Sequence, residues 1–197
     1  MGRKTRRLFH FSDDPEIDLF APRPVRVPVD RPEGQAWLNG PLVWSIDQAH
    51  EFLYLFPREC PRIVVWLTPA TRAEERSLWF GNRPCCTIAH IESRWLDRFR
   101  AAVVYRYDMP TATFEDIDEV GMWVSRVAIR PRAVEPIGDL PAALEARNVE
   151  LRVLESLTPL KDVWQTSLHA SGIRLRNAAG WGKPSWTHSK PGRQVDV

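Results

Sequence analysis

Short apolar runs recur along the chain, each closed by a turn signal and interleaved with brief segments of helical spacing. Residues 7–12 are aromatic-rich and stop at Asp13-Asp14-Pro15, which predicts a first strand. A stretch carrying Pro22, Pro24, Pro28 and Pro32 then runs to Gly40-Pro41. Proline lacks a backbone N–H and fixes φ, so this stretch is neither helix nor central strand. It reads as a long ordered surface loop, of the kind that serves as a lid or binding loop. Residues 42–46 predict a second strand, and Ser45 or Asp47 caps a helix over 48–54 that Pro57 stops.

Residues 62–68 are nearly continuous in apolar side chains, as a central strand buried on both faces requires. A short helix is expected over 71–79, a strand over 85–91, and a helical turn over 94–99 capped by Ser93. Residues 101–107 alternate and close at Asp108-Met109-Pro110; residues 123–130 alternate and end at Pro131. Asp139 with Pro141 opens a helix to Arg147, residues 149–154 make a last strand, and 159–170 have helical spacing. From Gly180 onward Gly, Pro, Ser and Lys dominate, so residues 180–197 read as a flexible basic tail and 1–179 as one globular domain.

Many short strands without regular strand–helix alternation predict an α+β fold, with a mixed or antiparallel split sheet and short flanking helices. A doubly wound sheet is disfavoured because no glycine-rich strand-to-helix turn is present.

Composition narrows the partners. A chain of 197 residues with 44% hydrophobic side chains and nine Trp can build a real core. Its net charge of +2 creates no field that would make nucleic acid the default partner. Arginine greatly outnumbers lysine, which suits carboxylate or phosphate recognition and equally follows from biased codon usage. Cys60, Cys85 and Cys86 are odd in number, and with His90 they show no paired Cys-x-x-Cys spacing, so no metal site is expected. No stretch approaches the apolar length of a membrane span, and the apolar run after Arg3-Lys4-Thr5-Arg6-Arg7 is too short for a secretory signal. The expectation is a soluble, cytoplasmic protein.

Several residues carry candidate chemistry, each beside a plainer structural reading. His10 lies between Phe9 and Phe11 and therefore faces the opposite side of its strand. A polar group there needs a partner, because leaving it unpaired costs roughly 1–3 kcal/mol. That partner is a ligand such as a ribose hydroxyl, or the protein itself. Trp44-Ser45-Ile46-Asp47 runs a strand into a helix start, where backbone N–H groups favour an anion such as a pyrophosphate or simply take an N-cap. Tyr54 offers a ring for stacking a flat heterocycle, or is core. Arg58 and Arg62 sit in a rigid segment between prolines, suited to a diphosphate or to a solvated pair with Glu59. Glu115 to Glu119 places four carboxylates in five residues, ahead of Trp123, Ser125 and Arg126. Such charge stabilises an oxocarbenium at an anomeric carbon, and is otherwise a solvated loop.

Taken together these segments resemble the ADP-ribosyltransferase fold. Leu8-Phe9-His10-Phe11-Ser12 resembles the opening strand of its histidine-bearing branch, and Val43-Trp44-Ser45-Ile46-Asp47-Gln48-Ala49 its second strand running into a helix. The nearest likeness is to the small rifamycin-modifying ADP-ribosyltransferases, on Phe114-Glu115-Asp116 followed by Ser125-Arg126-Val127-Ala128-Ile129. The resemblance implies a split sheet clasping NAD as substrate, with His10, Phe11, Ser12, Trp44, Ser45, Tyr54, Arg58, Arg62, Trp123, Ser125 and Arg126 around it. His10 would touch the ribose, and Asp116 or Glu119 would stand near the reacting centre. It covers residues 8 to about 137. Trp44 stands where a tyrosine often stacks on nicotinamide, and the proline-rich loop has no obvious equivalent. The whole chain also resembles an uncharacterised bacterial domain-of-unknown-function family, which implies no activity.

Three function classes follow. The first is an ADP-ribosyltransferase-like enzyme that uses NAD and an unidentified small-molecule or macromolecular acceptor. The second is a non-catalytic nucleotide- or protein-binding domain of the same fold. The third is a nucleotide- or RNA-end-processing enzyme using Arg58, Arg62 and Arg126 for phosphate, with Lys183, Trp186, Lys190 and Arg193 of the tail as further contacts.

Overall fold

The computed structural model describes residues 6–28 and 31–182. In chain order its strands and α-helices are β1 (Leu8–Ser12), β2 (Val43–Asp47), β3 (Arg62–Trp66), α1 (Ala73–Phe80), β4 (Thr87–Glu92) and α2 (Leu96–Ala101). They continue as β5 (Val104–Met109), β6 (Glu115–Asp116), β7 (Met122–Ser125), β8 (Ala133–Ile137), α3 (Leu140–Glu145), β9 (Val149–Leu154) and β10 (His169–Ile173). This is an α+β protein with two open sheets and few helices, as the pattern of short strands implied. Among the described residues no helix is long and apolar enough to cross a membrane. The candidate tail contacts from Lys183 to Arg193 lie outside the described residues.

The chain divides into two compact units, each built from two segments: residues 1–58 with 103–138, and 59–102 with 139–197. The first unit is a six-stranded sheet in the order β6-β7-β2-β1-β5-β8, antiparallel at every pairing. Successive side chains on a strand point to opposite faces. One face therefore collects Leu8, Val43, Tyr107 and Met109, and Phe20, Phe114 and Ile129 pack over them. The segment that carries Phe20 and leads into the proline-rich loop supplies part of this cover. It crosses the sheet on two isolated bridges, Phe20 with Ile129 and Arg23 with Leu42.

The second unit is a four-stranded sheet, β10-β3-β4-β9, with only the β4–β9 pair parallel. Residues 62–66 of β3 lie inside it, as their apolar run foretold. Ile63, Val65, Ile88, Leu168 and Ala170 form its core with Phe80 of α1 and Leu175. Asp139 caps α3 through the Ala142 N–H at 3.0 Å, with proline in the first turn, as the sequence indicated.

Two of the expected helices change. The helix over 48–54 is a single 3-10 turn, Glu51–Tyr54, and the N–H of the residue before it is taken locally: His50 N–H donates to Asp47 Oδ1 at 2.9 Å. The helical spacing over 159–170 resolves into a 3-10 segment, Thr158–Gln165, followed by β10, which sequence reasoning did not place. Strand β8 also went unread, because Pro136 demotes a run to an edge, and an edge is where β8 lies.

Gly172 in β10 has no room for a methyl group: a Cβ there would lie 2.5 Å from Leu175 Cδ1 and 2.9 Å from Trp164 Cζ2. Gly172→Ala is therefore expected to cost about 1–3 kcal/mol by overpacking, measured by denaturant unfolding. Wild-type stability in that variant would contradict the packing described.

Candidate functional site

Strand β1 joins β5 through five residue pairs, and β2 joins β7 through four, but β1 and β2 share only Leu8 with Asp47 and Phe9 with Ile46. Beyond Phe9 this ladder stops. At that point the His10 imidazole takes over from the backbone, its Nδ1 lying 2.8 Å from the Trp44 carbonyl oxygen. A carbonyl only accepts, so Nδ1 carries the proton and Nε2 is left as the acceptor nitrogen. Burial pulls the His10 pKa down to about 4 against that hydrogen bond, and the charges of Arg58 and Arg23 push the same way. At neutral pH the ring is uncharged and held in one tautomer.

The register sets a transverse row on one face of the sheet. Asp116 pairs with Trp123, Trp123 with Ser45, and His10 with Tyr107; the phase of the two β1–β2 pairs puts Ser45 on the same sheet face as His10. Ser45 is buried and its Oγ has no hydrogen-bond partner among the described residues. A buried hydroxyl left this way calls for an explanation, and a ligand hydroxyl or phosphate oxygen is one. Asp116 lies three strands from His10, about 14 Å at sheet spacing. It is exposed on the edge strand, 3.9 Å from Arg6, whose guanidinium lies over the Trp123 ring.

The other sequence-selected residues fall elsewhere. Phe11 and Trp44 lie on the opposite face, where Phe11 meets the Tyr54 ring at 6.1 Å and nearly parallel. The Tyr54 hydroxyl donates to Met122 Sδ at 3.5 Å. Glu119 is buried in an ion pair with Arg31 at 3.3 Å, and Arg31 lies over Trp44. Ser12 Oγ accepts from the Asp14 N–H. Ser125 donates to Thr113 Oγ1 at 3.1 Å and accepts from the Val127 N–H, so it shapes a turn. Arg126 lies over Trp37 and 3.6 Å from Glu115. Arg58 is exposed in the first unit. Arg62 belongs to the second unit, where it is buried and donates to the Cys60 carbonyl at 3.0 Å.

The anion-binding helix mouth after Trp44 is a correction: a four-residue 3-10 turn, with the Asp47 carboxylate on the N–H of His50 just before it, offers no such end. Cationic character near His10 comes instead from Arg58 and from Arg23, which sequence reasoning missed. Arg23 is held by its bridge to Leu42, next to β2, and nothing in its local sequence marks that pairing. Cys60 is buried and its thiol pushed up to about 12 by that burial, which suits packing and not nucleophilic attack. Among the described residues no group of His, Cys, Asp and Glu is arranged to hold a metal ion.

A histidine whose folded pKa lies near 4, below the ordinary 6.5, binds fewer protons folded than unfolded between those values. Its contribution to stability is complete above pH 6.5 and is lost as pH falls toward 4. His90 of the second unit is lowered to about 4 by burial and acts in the same direction. Unfolding free energy should thus decline from pH 6.5 to 4, and less steeply in His10→Asn. Equal slopes in the two proteins would show that the half-buried ring is not held neutral.

No curated protein and no solved structure matches the chain. A family model does, over residues 9–178, a span that takes in the β1–β2 opening, the bridged loop and both sheets, and the protein accordingly belongs to the family of unknown function DUF6886.

Proposed function

We propose that the first unit binds a dinucleotide, NAD in the first instance, at the β1–β2 opening and acts as an ADP-ribosyltransferase-like enzyme. The observation that carries this reading is the ladder break at His10, where a neutral imidazole with an acceptor Nε2 shares a sheet face with a Ser45 hydroxyl that has no partner among the described residues. A ribose offers hydroxyl donors to the first and a matching partner to the second. Arg23 and Arg58, whose charges reach His10, supply the field that a pyrophosphate needs. The likeness of the first strand to the histidine-bearing branch of that fold supports the same assignment.

The chemistry is substitution at the anomeric carbon. The bond from ribose C1′ to the nicotinamide nitrogen breaks, its electron pair leaving with neutral nicotinamide. The acceptor's lone pair then forms the new bond to C1′ as its proton is lost. An oxocarbenium-like state is stabilised by a nearby carboxylate, and Asp116 is the candidate, being exposed and on the His10 face. Glu119 is less suited, because Arg31 already neutralises it.

A second reading is binding without turnover. The spacing of Asp116 from His10, about three strand widths, favours it.

Titration calorimetry with NAD should give saturable heat, and His10→Ala should weaken it about threefold to tenfold, the worth of one hydrogen bond. No heat at millimolar NAD would sink both readings. Nicotinamide released on incubation, and abolished in Asp116→Asn, establishes the enzyme; binding with no nicotinamide establishes the second reading.

A further inference from the structure

We propose that the segment from Asp13 to Val25 is a strap that closes over the His10 side of the sheet, with Phe20 as its gate. The inference rests on the nucleotide reading above, because it says what must move before a ligand reaches His10. The Phe20 ring lies on the His10 imidazole at 4.6 Å between centroids and meets Tyr107 edge-on at 5.1 Å. Phe20 thus covers the imidazole whose Nε2 the ligand needs.

The way this segment is held distinguishes it from the strands beside it. It makes no continuous ladder. Phe20 exchanges two backbone hydrogen bonds with Ile129 at 2.8 and 2.9 Å, Arg23 exchanges two with Leu42 at 3.2 and 3.1 Å, the Val25 N–H donates to the Asn39 carbonyl at 3.3 Å, and the exposed Asp18 pairs with Arg130 at 3.4 Å. At the strap's base, the Tyr107 hydroxyl donates to the Asp14 carbonyl at 2.6 Å and accepts from the Ile17 N–H at 3.2 Å. Most of its other side chains are exposed, and its apolar anchors are Phe20 and the half-buried Ile17. Pro15, Pro22 and Pro24 stiffen the backbone, so the segment swings as a piece when those few latches part. Segments tied by so few bonds open locally without global unfolding. Arg23 rides on the same strap, so opening and reclosing would carry a cation onto the ligand's phosphates.

The test is histidine acylation by diethyl pyrocarbonate, followed residue by residue by mass spectrometry, with NAD calorimetry on the same samples. His90, buried in the other unit, reports whether the protein stays folded. In Phe20→Ala, His10 labelling should rise tenfold or more with His90 unchanged, and NAD should bind more tightly. If wild-type His10 already labels as fast as in the variant, no strap covers it and the proposal is overturned. Faster His10 labelling with no NAD heat in either protein keeps the strap and removes the nucleotide reading. Should Phe20→Ala unfold, exposing His90, Tyr107→Phe decides: it frees the base of the strap while keeping the ring, and a His10 rate below twice that of wild type overturns the proposal.

Discussion

The Trp44 carbonyl is the group on which the first unit's architecture turns. Inside a sheet every backbone carbonyl needs a donor, and a strand that parts from its neighbour leaves one bare. The His10 imidazole fills that need and so lets β1 and β2 separate after two pairs. The same bond fixes the tautomer, and burial keeps the ring neutral. His90 shows what is special about this arrangement. It too has Nδ1 against a neighbouring strand's carbonyl, Ile63 at 3.2 Å, but there β3 and β4 pair through five residues and nothing opens. A strand histidine bonded to a carbonyl is thus a structural device in one unit, and the edge of an opening in the other.

Charge in the first unit is mostly committed to holding elements in place. Arg106 reaches Glu51 at 2.6 Å and also pairs with Glu135, tying the 3-10 turn to β5 and β8. Arg31 and Glu119 pin the middle of the proline-rich loop to the turn before β7, both almost free of solvent. Removing one member of such a buried pair typically costs about 3–5 kcal/mol because the other is stranded. That commitment separates Glu119 from Asp116, although the two are neighbours in an acidic run.

What was legible in the sequence follows from what fixes each feature locally. The run of residues 62–68 and the Asp139–Pro141 start of α3 were readable because burial and capping leave their marks within a few residues. The α+β class was readable from strand spacing. The missed strands carry weak local signals: β8 holds Pro136 and little apolar content, and β10 is His-Ala-Ser-Gly-Ile, whose Gly172 is small because Trp164 and Leu175 crowd it. The helix over 48–54 failed because Asp47 and His50 close a tight turn on themselves. At the candidate site, His10 and Ser45 stood out as polar residues in apolar strands. Their register, the end of the ladder and the arrival of Phe20 and Arg23 are long-range pairings that no local pattern encodes.

Ligand binding in the first unit turns on one nitrogen atom, His10 Nε2, the acceptor that lies beneath Phe20 where the β1–β2 ladder ends. Long-range proton–nitrogen NMR spectra of imidazole-labelled protein at neutral pH test it directly, recorded with and without NAD. The expected result is an Nδ1–H neutral tautomer in the free protein and a shift of Nε2 alone, in the direction of hydrogen-bond acceptance, as NAD is added. A proton on Nε2 in the free protein, or an Nε2 signal indifferent to saturating NAD, would contradict it.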